Sequence, residues 1–262
     1  MNEKKTAWAL LTTFFRFGWK NKRSRIFLLF SLIPVLLLLL VKIMQTARPA
    51  SFTSAADLFS NIMLIFYFQL LIPVLALFFG SSVINDEIDN KTLVYLTVRP
   101  VPRWLVFTGK YVAYLLVMGL ITFLGLVLSF LIANFDLLAS AESWRQLLTY
   151  LAAALLAITA YSGLFALLAS FMRKSILIGL FFVFGWESIV QYFPGTTQKF
   201  TIIHFVKSLL PYAPQKSGFL IFQLEPSPVF SSVLVLMLFS LITLIAAAIV
   251  FQKKEYILSD SN

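Results

Sequence analysis

The fold class this sequence predicts is an all-α integral membrane protein that crosses the bilayer about six times. Three observations carry that prediction: the composition, six long apolar runs, and the side on which the cations fall. Of 262 residues, 60% are hydrophobic and only 12% charged, with a mean hydropathy of +0.90. A water-soluble domain carries about 25% charged residues to face its solvent. Too few charges remain here to coat a globule, so lipid must be the solvent for much of the surface.

The apolar runs cover approximately residues 26–44, 59–84, 111–133, 147–172, 175–193 and 229–251. Each approaches or exceeds the roughly 18–20 residues of a spanning helix. Transmembrane strands alternate apolar and polar side chains, and runs such as Val35 to Val41 do not alternate. The first run follows about 25 residues that include two tryptophans. It is long for a signal-peptide core of ~7–15 residues and reads as a retained span. Little chain is left for a soluble domain, and 1–262 reads as one transmembrane domain.

Orientation follows from the short connections. With the N-terminus in the cytoplasm, 15 of the 21 Lys and Arg fall on the inner side, as the positive-inside rule requires. Both termini are expected to be cytoplasmic, in a multi-pass protein of the cell (inner) membrane. The net charge of +10 is thereby accounted for without nucleic acid as a partner. The absence of cysteine excludes disulfides and thiolate metal sites.

Ahead of the first span, residues 6–25 set Trp8, Leu11, Phe14, Phe15 and Trp19 among Arg16, Lys20, Lys22 and Arg23. That pattern suits an N-terminal amphipathic helix lying at the interface with membrane lipid. The long outer stretch 194–228 holds an apolar run, Phe200 to Leu210, too short to span and stopped by Pro211. It reads as a surface or re-entrant helix.

The most informative connection is the cytoplasmic loop at 85–110. Asp86, Glu87 and Asp89 lie there among several bases, around a short segment stopped by Pro100 and Pro102. Leu93, Tyr95 and Leu96 are apolar side chains in a loop with no domain to bury them, which points to a partner protein or the membrane surface. A solvated, charged loop is the plainer reading.

This loop resembles the signature of ABC-2 type permeases. The matching elements are Glu87 and Asp89, Thr92-Leu93, Tyr95-Leu96, Arg99-Pro100-Val101-Pro102-Arg103, and Gly109-Lys110. Many members have Gly before the Thr-Leu pair, where this chain has Lys91. Trp186-Glu187, Pro194-Gly195 and the segment around His204 also resemble that family's fifth span and outer loop. The resemblance implies a homodimer, or a dimer with a similar permease, resting on two cytosolic ABC ATPase subunits. It makes 85–110 the loop that couples to the ATPase, and it implies export. No Gly-x-x-x-x-Gly-Lys-Ser/Thr phosphate loop occurs in the chain, so no cofactor is assigned to it; ATP and Mg belong to the partner ATPase.

Among the spans, Glu187 is the one acid, and an ionisable group at depth is a functional candidate. A position near the outer boundary, or pairing with a polar group such as Gln191 one turn on, is the structural alternative. Asn61 and Gln69 are neutral and read as polar contacts between helices or along the translocation path. His204 has no Asp, Glu or Cys at ligand spacing, so a hydrogen bond or packing is expected of it and no metal. The Ala- and Gly-rich fourth span predicts close helix packing, and Pro34 and Pro73 predict kinks. No His-Glu-x-x-His or Gly-x-Ser-x-Gly is present, which argues against a membrane-embedded enzyme. A non-transporting anchor or regulatory subunit is the other alternative.

Overall fold

A computed structural model describes residues 3–47, 55–89, 102–135, 140–172, 174–191, 193, 196–211 and 226–253. Every regular element among them is helical. In chain order these are α1 (Glu3–Lys20), α2 (Lys22–Ser31), α3 (Ile33–Ala47), α4 (Ala55–Ile62), a π-helical stretch Met63–Leu71 and α5 (Ile72–Asp89). Then come α6 (Arg103–Ala133), α7 (Ala141–Phe171), α8 (Ser175–Phe181), a second π-helical stretch Phe182–Glu187 and α9 (Ser188–Val190). A 3₁₀ turn (Thr196–Phe200), α10 (Ile202–Leu209) and α11 (Val229–Lys253) complete the described chain.

Among the described residues, five helical stretches are long and apolar enough to cross a bilayer: Lys22–Gln45, Phe59–Glu87, Arg103–Ala133, Ala141–Phe171 and Val229–Lys253. They match five of the six runs expected from sequence. The run at 175–193 becomes a shorter helix, Ser175–Val190, below the length of a straight span. Its apolar side chains gave the expectation of a sixth span; the helix itself stops at Val190. Helices also occupy both ends of the 85–110 loop, because α5 runs on to Asp89 and α6 begins at Arg103.

Local sequence explains the boundaries. Asn21 and Ser140 cap α2 and α7, their side chains accepting from the backbone N–H of Arg23 and Ser143, which satisfies one orphan donor each. Pro34 has no N–H for the carbonyl of Phe30, and the helix breaks at Leu32 between α2 and α3. The carbonyl of Ser31 is satisfied by the Tyr67 hydroxyl at 2.7 Å, since no water reaches it in lipid. Pro73 likewise cannot bond the carbonyl of Gln69, and the helix upstream widens into π geometry.

At the centre, α7 packs between α5 and α11. Its small residues Ala153, Ala157, Ala160, Gly163 and Ala166 are buried, as the sequence predicts. A methyl group on Gly80 of α5 would lie 2.8 Å from the Ser162 carbonyl oxygen of α7, so the two backbones meet there. An aromatic cluster of Phe59, Phe130 and Tyr150 fills one end, with edge-on ring pairs 5.5 Å apart. The outward faces are apolar: Leu36, Leu40 and Ile43 of α3, and Phe230, Leu241 and Ile245 of α11, are exposed. Such extended apolar faces mark contact with a membrane or with another protein. The N-terminal α1 packs along α6, with Trp8 and Phe17 exposed.

Candidate functional site

Two clusters of polar side chains interrupt the apolar interior. Gln69 and Glu87 belong to them and sit about 25 Å apart along one helical stretch, so the clusters lie toward opposite ends of the bundle.

The first gathers where α5 ends and α6 begins. Lys110 of α6 is 3% exposed, and its Nζ donates to Glu87 Oε1 at 2.8 Å, with Asp86 Oδ2 at 4.0 Å. The Tyr114 hydroxyl donates to Asp86 Oδ2 at 3.2 Å, and the Lys110 ammonium stands 5.7 Å from the Tyr114 ring centroid. From α2, Arg23 Nη1 donates to Ser82 Oγ at 2.7 Å and lies 3.8 Å from Asp86 Oδ1. A buried ammonium is tolerable only when paired and hydrogen-bonded, and here two carboxylates meet it. Nearby, Asn85 Nδ2 donates to Ser175 Oγ at 2.9 Å, tying α5 to α8.

Of the loop residues singled out in the sequence, Asp86, Glu87 and Lys110 thus come together as an internal ion cluster. Arg103 is exposed at the start of α6. Asp89 is the last residue of α5. Thr92, Leu93, Tyr95, Leu96, Arg99 and Pro100 lie outside the described residues. Sequence reading missed Arg23, Ser82 and Tyr114. Arg23 was read as a cytoplasmic cation of the N-terminal amphipathic helix, although its sign opposite the acids of the loop was a usable signal.

The second cluster centres on Glu187, which is 4% exposed. Its Oε1 accepts from the Ile202 backbone N–H at 2.9 Å, and Oε2 from the Ile203 N–H at 3.1 Å. Oε2 also accepts from the Tyr161 hydroxyl of α7 at 3.0 Å. A carboxylate on the first N–H groups of α10 satisfies orphan donors and complements the helix dipole. The Thr201 hydroxyl adds the N-cap, accepting from His204 N at 3.3 Å.

Farther along α10, Lys207 Nζ donates to Gln191 Oε1 at 2.9 Å, and Gln69 Nε2 donates to the same oxygen at 2.7 Å. Burial pushes Lys207 down to about 8, partly opposed by the charge of Glu187. A cleft with room for about one water is bordered by Gln69, Pro73, Tyr161, Glu187, Gln191 and Ile203.

Glu187, Gln191 and Gln69 therefore border one cleft, while Asn61, in α4, is not part of the group. Gln191 bonds Lys207, Gln69 and the Ser188 carbonyl, and its link to Glu187 runs through their shared hold on α10. His204 is buried, its Nε2 3.0 Å from Ser227 Oγ, and its pKa is lowered by burial and by Lys199 and Lys207. Tyr161 and Lys207 were not singled out in the sequence. A lone lysine among Phe205, Val206 and Leu209 was the available signal for the second of these.

Apolar outer faces and a bundle of long apolar helices define a multi-pass helical membrane protein. The family model for the ABC-2 family transporter protein matches residues 20–256, and the chain belongs to that family. Its place is that of a membrane permease subunit of an ABC transporter, a kind of subunit that is generally not itself catalytic and typically works with an ATP-binding subunit. Comparison with curated proteins gives no match.

Proposed function

We propose that the chain is the permease of an ATP-binding-cassette exporter in the cell (inner) membrane. It forms the translocation path as a homodimer or beside a similar permease. Residues 85–110 couple it to separate cytosolic ATPase subunits, which bind ATP and Mg. Family membership supports the class, and the lack of a phosphate loop supports placing nucleotide chemistry on a partner.

The observation that carries the coupling role is the ion cluster of Arg23, Asp86, Glu87 and Lys110. It joins the two helices that enter and leave the loop, through Glu87 and Lys110, and adds α2 through Arg23 and Asp86. A push on the segment between Asp89 and Arg103 is then delivered to three helices as one body, because packed helices shift rigidly. The Tyr114 ring stands beside the Lys110 ammonium at that junction.

Arg103 tests the proposal, since it is exposed at the α6 start and apart from the cluster. Arg103→Glu is expected to abolish permease-stimulated ATP hydrolysis by the cognate ATPase in proteoliposomes, with insertion and melting temperature unchanged. Stimulation equal to that of the native chain would refute the coupling role.

A further inference from the structure

We propose that Glu187 is a positioning residue that latches α10 onto the outer end of the bundle, and that its release frees α10 from that end. This rests on the orientation given above, in which 194–228 faces outward.

The latch has two points of hold. At the start of α10, one carboxylate engages the N–H groups of both Ile202 and Ile203 and ties them to Tyr161 of α7. Toward the other end, Lys207 engages Gln191, which is also held by Gln69 of the second span. The short helix is thus fastened to three parts of the bundle, and its side chains Ile202, Ile203, Val206 and Ser208 are buried. Charge-assisted bonds in a low-dielectric interior are strong while made and costly to leave unmade. Such a contact is held fully or released.

Two features make it releasable. The cleft at Glu187 and Gln191 admits about one water, so a competing donor can reach the carboxylate. Both Gln69 and Glu187 also stand on π-helical stretches, Met63–Leu71 and Phe182–Glu187. Such stretches are rare and concentrate at functional sites. Return of either to α geometry removes the extra residue of that turn and swings the side chains beyond it by about 100°. A side chain so rotated loses its partner, and α10 comes free.

The chain has no cysteine, so Ser208→Cys places a single reporter on α10, at a serine that is buried. The full chain in membrane vesicles of known sidedness would be treated with a membrane-impermeant maleimide. We expect slow labelling from the outer side for Ser208→Cys alone, and a rate about tenfold higher when Glu187→Ala is added. Glu187→Gln, which keeps one acceptor oxygen, should give an intermediate rate. Ser143→Cys, at a buried serine near the start of α7 and outside the latch, should keep its rate in every background.

An unchanged rate at Ser208→Cys in the Glu187→Ala background overturns the latch. So does an equal rise at both reporters, which would mean general loosening. Labelling of Ser208→Cys from the cytosolic side alone overturns the outward orientation instead, and is told apart by the side from which the label enters.

Discussion

Lys207 shows how one side chain is set by its surroundings. Its ammonium lies in an apolar helix face, paired to the neutral amide of Gln191, and burial holds it near 8 against an ordinary value of 10.5. Below the lowered value both folded and unfolded chains keep the proton, and the folded chain bears the full cost of the buried charge. Between about 8 and 10.5 the folded chain has lost the proton while the unfolded chain retains it, so stability rises with pH. The melting temperature of the native chain minus that of Lys207→Met, in detergent, should therefore climb from pH 7 to pH 10. A difference that stays flat over that range would contradict the burial of the charge. Glu187 was legible in the sequence, since an acid in an apolar run is conspicuous. That it would cap α10 was not, because Ile202 and Ile203 offer only backbone N–H groups, which no side-chain pattern marks.

At the scale of elements, the meeting of α5 with α7 decides the packing of the bundle. A methyl on Gly80 would lie 2.8 Å from the Ser162 carbonyl oxygen, which is backbone and cannot step aside. A methyl on Gly163 would lie 2.6 Å from Thr243 Oγ1, a side chain that can rotate. Gly80→Ala should destabilise by about 1–3 kcal/mol, as overpacking does, and Gly163→Ala by less. Thermal unfolding of the two variants in detergent gives the order, and equal losses would contradict it. The Ala- and Gly-rich pattern of this span announced a close approach, but it did not say which neighbour came close. The two prolines announced breaks, and the structure turned one into a helix junction and the other into a π stretch.

For the molecule as a whole, the cations and the greasy faces together fix how it sits in lipid. Single cysteines placed in this cysteine-free chain should react from the cytosolic side at Arg103 and from the outer side at Phe200. Both are exposed positions. The reverse pattern would invert the whole assignment. Amino-acid order alone determined that the protein is helical and membrane-embedded, which spans it has by length in five places, and which family it resembles. Those properties depend on hydrophobicity summed over about 20 residues, and a sum needs no knowledge of neighbours. The tertiary structure decided the rest: that Ser175–Val190 ends short of a full span, that Asp86 and Glu87 turn inward to Lys110, and that α10 is seated on Glu187. A hydrogen bond acts over about 3 Å, and residues 15 and 59 positions apart meet at that distance only after the helices have packed.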